Sequence, residues 1–127
     1  MNTLKKSTYW LGLALLALSM IGAGAGKLAG VAELHISFQS MNLPTWFGYF
    51  IGLLEFLAGV TLFITKFRAI AALSLMPVMI GAAYYHIAYN IPSAIPALLF
   101  LVLSLYYFTD AYKNTKALKT LEKRAEP

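Results

Sequence analysis

The chain has 127 residues, of which 60% are apolar and only 12% are charged, and its mean hydropathy is +0.70. This composition excludes an ordinary soluble domain and is typical of a protein embedded in a lipid bilayer. The net charge of +5 comes from basic residues in short clusters between apolar runs, so it indicates membrane topology rather than nucleic-acid binding. The absence of cysteine excludes disulfides, thiol chemistry and covalently attached haem.

Four apolar runs divide the chain, and polar or charged residues bound each of them. A helix of about 20 residues matches a hydrocarbon core about 30 Å thick, and a bilayer requires every backbone group to be bonded internally. We therefore predict an all-α integral membrane four-helix bundle that forms one domain over residues 1–127. The predicted spans are residues 9–26, 46–64, 69–89 and 93–108.

Lysine and arginine are distributed unequally among the connections. They precede the first run, fill the second connection and follow the fourth run, whereas the other two connections contain only Lys27. The positive-inside rule therefore predicts that both termini are cytoplasmic. It also predicts a basic cytoplasmic tail over residues 109–127, which is attracted to anionic lipid.

The first run also has features of a cleavable signal peptide. Lys5 and Lys6 precede an apolar core that ends near the small residues 23–25, as in a cleavable leader. The apolar character continues past that point, so we favour retention of this run as a span. Cleavage would leave the other three spans in the same orientation.

The longest connection on the predicted outer side covers residues 28–44. Apolar residues recur in it at helical spacing beside polar ones, which predicts a short helix. Two placements remain open for this helix: it lies on the outer membrane surface, or it packs as a cap over the bundle.

Three ionisable residues lie in or at the edge of predicted spans, namely Lys27, Glu55 and His86. Glu55 is the deepest, about 13 Å below the outer end of its span, where an unpaired charge is costly. We therefore expect Glu55 to be paired or protonated inside the bundle.

Glycines lie beside these polar residues at helical spacing, and small-residue faces allow membrane helices to approach closely. We therefore predict that the three ionisable residues meet in a polar well that opens outward. The candidate helix-packing glycines are Gly22, Gly26, Gly48, Gly52 and Gly59.

The polar cluster admits two interpretations. Lys27 and Glu55 form an ion pair that fixes the helix register, or the cluster binds a ligand or carries protons. His86 is either a hydrogen-bonded interfacial histidine or a proton carrier. The sequence has no nucleotide or hydrolase motif, too few ligands for zinc, and a poor haem pair in His35 and His86, so we expect no metal and no intrinsic cofactor.

Three short motifs follow one another along the chain. The first run has a glycine-rich end that leads into Lys27, an apolar-aromatic stretch runs from Phe38 to Pro44, and Gly52 to Glu55 form a glycine-x-x-glutamate. In these features the chain resembles the DoxX-like family of small four-span bacterial membrane proteins, over about Leu11 to Phe108.

The resemblance implies a multi-pass protein of the bacterial plasma (inner) membrane. Relatives are linked with quinone-coupled sulfur oxidation, with membrane complexes that answer oxidative stress and, in an animal branch, with receptor assembly. Our first hypothesis is an accessory or assembly protein of a membrane complex, such as a redox or oxidative-stress complex, without enzymatic activity of its own. The alternative is a quinone- or small-solute-binding subunit of a membrane oxidoreductase that uses the outward well. The expected partners are the lipid bilayer and another membrane protein or a second copy of the chain.

Overall fold

The structure of the protein, a computed structural model, describes residues 2–127. These residues form helices and connections and contain no strand, which confirms the predicted all-α fold. A 3-10 turn at Thr65–Phe67 leads directly into α4. The helices are α1 (Thr3–Leu28), α2 (Ala32–Ser40), α3 (Thr45–Thr61), α4 (Arg68–Ala88) and α5 (Ile95–Ala125).

Local signals in the sequence explain where the helices begin and end. The Asn2 side chain accepts a hydrogen bond from the Lys5 backbone N–H at 2.8 Å, which caps α1. Single residues in the left-handed backbone region follow the first, second and fourth helices, because glycine and asparagine tolerate positive φ best. These residues are Gly30 (φ 79°), Asn42 (φ 57°) and Asn90 (φ 55°).

Three segments are long and apolar enough to cross a membrane: α1, α4 together with its preceding turn, and α5. The remaining apolar helix, α3, has 17 residues and is therefore about 25 Å long. The structure thus contains an apolar helix for each predicted span, and the four crossings and their direction stay predictions. The tail predicted to follow residue 108 is a continuation of α5 as far as Ala125.

The bundle is built from two closely packed helix pairs, α1 with α3 and α4 with α5, and α3 also contacts α4. Large side chains buried between them include Leu13, Leu16, Leu62, Leu75 and Tyr107. Many large apolar side chains of the same helices remain exposed, which suits a surface that faces lipid.

Two contacts show how the helices run. The Tyr107 hydroxyl donates to the Tyr9 carbonyl oxygen at 2.6 Å, so the first turns of α1 lie beside the middle of α5. At the other end of the bundle the Tyr89 hydroxyl donates to the Ser40 carbonyl oxygen at 3.4 Å. Successive long helices therefore alternate in direction. We call the end with Tyr9 and Arg68 the Arg68 end, and the opposite one the Lys27 end.

Candidate functional site

A buried ion pair joins the first and third helices. Lys27 lies in the last turn of α1 and Glu55 in the middle of α3, and Lys27 Nζ donates to Glu55 Oε2 at 2.8 Å. The side chains are 13% and 4% exposed, respectively. The structure thus brings two of the three candidate residues together and closes the space beside Glu55.

Contact between the backbones of α1 and α3 positions this pair. A Cβ added at Gly24 would lie 2.5 Å from the carbonyl oxygen of Gly52, and one added at Gly52 would lie 2.6 Å from Cβ of Lys27. Only glycines allow so close an approach. The crossing point of the two helices therefore lies directly beside the ion pair.

The two glycines predicted to pack in α1, Gly22 and Gly26, do not lie on the face that contacts α3. Gly22 is exposed, and a Cβ added there would meet nothing within 4 Å, whereas one added at Gly26 would lie 2.6 Å from Cδ1 of Leu34 in α2. Of the two glycines predicted in α1, Gly26 therefore faces α2 and Gly22 contacts no other helix. The reason is helical geometry, since Gly24 is about 200° around the helix from Gly22 and only one of the two can face α3.

The predicted glycines of α3 all face neighbouring elements. Gly52 faces α1, and a Cβ added at Gly59 would lie 2.8 Å from the Ala17 carbonyl oxygen, also in α1. A Cβ added at Gly48 would instead meet the ring of His35 in α2. The glycine spacing along α3 therefore serves two different neighbours.

His35 is a site residue that the sequence analysis did not select. It is 8% exposed, its Nε2 donates to the Lys27 backbone oxygen at 2.9 Å, and its ring centroid lies 4.6 Å from that of Tyr49. The helix that carries it, α2, thus packs as a cap over the Lys27 end. The available signal was the spacing of His35 and Phe38, which places both on one helix face.

His86 does not join the pair. Its Nδ1 lies 3.3 Å from the Ile91 carbonyl oxygen, and within residues 2–127 it makes no hydrogen bond to Lys27 or Glu55. The structure therefore brings Lys27 and Glu55 together and places His86 apart from them. The pair lies between α1 and α3, whereas α4, which carries His86, packs mainly against α5.

A second buried polar cluster lies at the Arg68 end. Arg68 is 5% exposed, its Nε donates to the Leu62 carbonyl oxygen at 2.7 Å, and its Nη1 donates to the Tyr9 hydroxyl at 3.1 Å. The guanidinium also lies 5.3 Å from the Trp10 ring centroid, within range of a cation–π interaction. In the sequence, Arg68 is one of the basic residues that fill the second connection, but in the structure it joins α1, α3 and α4.

The surface of residues 2–127 includes two cavities of interest. One of about 200 Å³ lies at the Lys27 end beside His35 and Tyr49. The other is an open apolar groove of about 350 Å³ between α3 and α4, and its lining contains no ionisable side chain. Among residues 2–127, no three histidines or acidic residues are grouped so that they could hold a metal ion.

The comparison with protein families decides the classification. A model of the DoxX-like family matches residues 12–107, which is well over half of the chain. The chain belongs to the DoxX-like family. The match includes Lys27, His35, Glu55 and Arg68, and together with the apolar helices it shows that this DoxX-like chain is a membrane protein. No curated protein and no solved structure matches the chain significantly.

Proposed function

We propose that this DoxX-like protein is an accessory or assembly subunit that packs against another protein in the bacterial plasma membrane. The observation that carries the proposal is the closed ion pair of Lys27 and Glu55 between helices whose backbones touch. A buried, mutually satisfied pair can fix helix register without taking part in chemistry. The bundle then acts as a rigid scaffold whose outer faces contact the partner.

The groove between α3 and α4 is the surface that we assign to the partner. Its floor contains the small residues Ala58, Ala71 and Ser74, and large apolar side chains such as Leu53 and Leu57 form its walls. The Ser74 hydroxyl already donates to the Ala71 carbonyl oxygen at 2.7 Å, so the floor is apolar in effect. Small residues between larger ones are the surface that a membrane helix packs into most closely.

The shape of the groove favours a partner of different sequence. A two-fold symmetric dimer needs a surface that is complementary to itself, and a groove cannot fill a groove. A convex helix from a second copy would make a head-to-tail contact, which continues into rings or open filaments. A transmembrane helix of another protein fills the groove without this consequence.

Photo-crosslinking in native membranes tests the proposal. The photoreactive amino acid p-benzoylphenylalanine is placed at Leu57 in the wall of the groove and, as a matched control, at Leu105 on α5, since both side chains are about half exposed (53% and 47%). We expect one defined protein adduct from position 57 and none from position 105. Ser74→Leu fills the floor of the groove and should abolish the adduct and the co-purification of the same protein.

Three outcomes contradict the proposal. Adducts with lipid alone at both positions mean that the groove faces only the bilayer. Equal protein adducts from positions 57 and 105 mean that the contact is not specific to the groove. An adduct of twice the mass of the chain means that the occupant is a second copy rather than another protein.

The second candidate function is a quinone- or small-solute-binding subunit of a membrane oxidoreductase. This function requires that the outward well be open beside Glu55 and His86. Glu55 is 3% exposed and bonded to Lys27, and His86 lies elsewhere, so this geometry favours the accessory role. The family resemblance suggests a redox or oxidative-stress complex as the partner, and sequencing of the crosslinked protein tests that suggestion.

A further inference from the structure

The cavity at the Lys27 end opens on the surface and is lined by α2, by the connections on either side of α2 and by the first turns of α3. Its volume is about 200 Å³, and His35, Phe38, Leu43 and Pro44 contribute to its lining together with Tyr49. An engineered apolar cavity of about 150 Å³ is large enough to bind benzene. The cavity therefore has room for a molecule with a single ring.

His35 gives this cavity a defined hydrogen-bonding character. A carbonyl oxygen can only accept, so the 2.9 Å contact with the Lys27 backbone oxygen places the hydrogen on Nε2 of His35. In the neutral ring Nδ1 is then an acceptor. Within residues 2–127 Nδ1 has no hydrogen-bond partner, although the residue is only 8% exposed. Nδ1 lies beside Gly48 and is not closed off from solvent, since the buried side-chain atom without a partner in residues 2–127 is Nη2 of Arg68. A donor that enters the cavity can therefore replace water at Nδ1.

We propose that this cavity binds a small neutral molecule that has a hydroxyl group on a single ring, as phenols do. The ring lies among the aromatic side chains of Phe38 and Tyr49, and its O–H donates to Nδ1 of His35. A molecule that can only accept hydrogen bonds gains nothing from this nitrogen. The site is separate from the groove between α3 and α4, so the inference goes beyond the proposed accessory role.

The position of the cavity suits such a ligand. The helix α2 lies in the connection that is predicted to face the outer membrane surface, and molecules with an apolar ring and one polar group concentrate at that boundary. His35 is also bonded to the residue that pairs with Glu55. Ligand binding should therefore stabilise the junction of α1, α2 and α3 and raise the unfolding temperature.

Nuclear magnetic resonance on the full chain in lipid nanodiscs tests the site. Because the chain has two histidines, His86→Gln leaves His35 as the single ¹⁵N-histidine signal. We expect the free protein to show hydrogen on Nε2, and phenol to shift the Nδ1 resonance in a saturable way. Toluene and anisole match phenol in shape but lack the donor, and we expect them to bind about three- to tenfold more weakly at equal free concentration.

A substitution that leaves His35 in place provides the second arm. In Gly48→Ala the new methyl group meets the His35 ring and displaces it, so phenol affinity should fall at least tenfold. Gly22→Ala, whose methyl group meets nothing, is the control and should bind phenol as the parent chain does. Hydrogen on Nδ1 in the free protein, a phenol shift that does not saturate, or equal affinity for toluene, anisole and phenol would each overturn the proposal.

Discussion

The ion pair between Lys27 and Glu55 leads to the most specific prediction. Glu55→Gln keeps the shape of the side chain but leaves the Lys27 ammonium beside a neutral amide, and Lys27→Met leaves a carboxylate that is 4% exposed without a partner. Removal of one member of a buried pair typically costs 3–5 kcal/mol, roughly. We expect about 3 kcal/mol for each single variant, since Gln still accepts a hydrogen bond and Lys27 retains some exposure.

The double variant separates a structural pair from two independent residues. Once both charges are gone, no buried charge lacks a partner, so the double variant should lose no more than about 3 kcal/mol rather than the sum of about 6. The coupling energy between positions 27 and 55 is then at least about 3 kcal/mol. This value is large enough to measure in a double-mutant cycle.

Equilibrium unfolding in mixed micelles, followed by near-ultraviolet circular dichroism, measures the free energy of unfolding of the parent chain, the two single variants and the double variant. Glu33→Gln is the control, because Glu33 is an exposed carboxylate on α2 and its replacement should change the free energy by less than about 0.5 kcal/mol. If the sum of the two single losses equals the loss of the double variant within about 0.5 kcal/mol, the pair does not fix the register. If Glu55→Gln unfolds like the parent chain but disables the complex that the protein serves, the ligand or proton interpretation is correct.

Three further predictions follow from the packing and the charges. Gly24→Ala should lower stability by about 1–3 kcal/mol, because its methyl group meets the backbone of α3. Gly22→Ala should raise stability by up to about 1 kcal/mol in the same unfolding assay, because its methyl group meets nothing and alanine favours a helix. The reverse order of stabilities would contradict the observed helix face. Tyr107→Phe removes the 2.6 Å hydrogen bond to a backbone carbonyl and should cost about 0.5–1.5 kcal/mol, and an unchanged unfolding free energy would show that water replaces this bond. In this cysteine-free chain, an impermeant thiol reagent added to intact cells should label Glu33→Cys and not Lys116→Cys, and labelling at position 116 would refute the cytoplasmic tail.

Periodicity and depth in the sequence were enough to select Glu55 and to offer Lys27 as a candidate partner. A carboxylate within an apolar run, on a helix face lined by glycines, has to point toward another helix, and Lys27 is the basic residue nearest in depth. The same reasoning grouped His86 with them, whereas the structure places His86 beside Ile91. Depth along the membrane normal is encoded in the sequence, but which helices are neighbours is not, and α4 packs mainly against α5.

The glycine pattern of α1 illustrates the same division. Gly22 and Gly26 match G-x-x-x-G, yet Gly24 is the residue at the contact with α3. Every side of a membrane helix is apolar, so hydropathy does not distinguish a lipid-facing side from a packed one. Only the partner helix determines the rotation of α1 about its axis.

By itself, the sequence determined the membrane class and the all-helical fold, and it offered the pairing of Lys27 with Glu55 as one interpretation, because hydropathy, helical period and the cost of a buried charge are local properties. The tertiary structure decided the roles of His35 and Arg68. Each lies outside the predicted spans in a segment that reads as a connection, and each becomes buried only when three elements meet around it. Burial of this kind depends on contacts between residues far apart in the chain, which no local pattern contains.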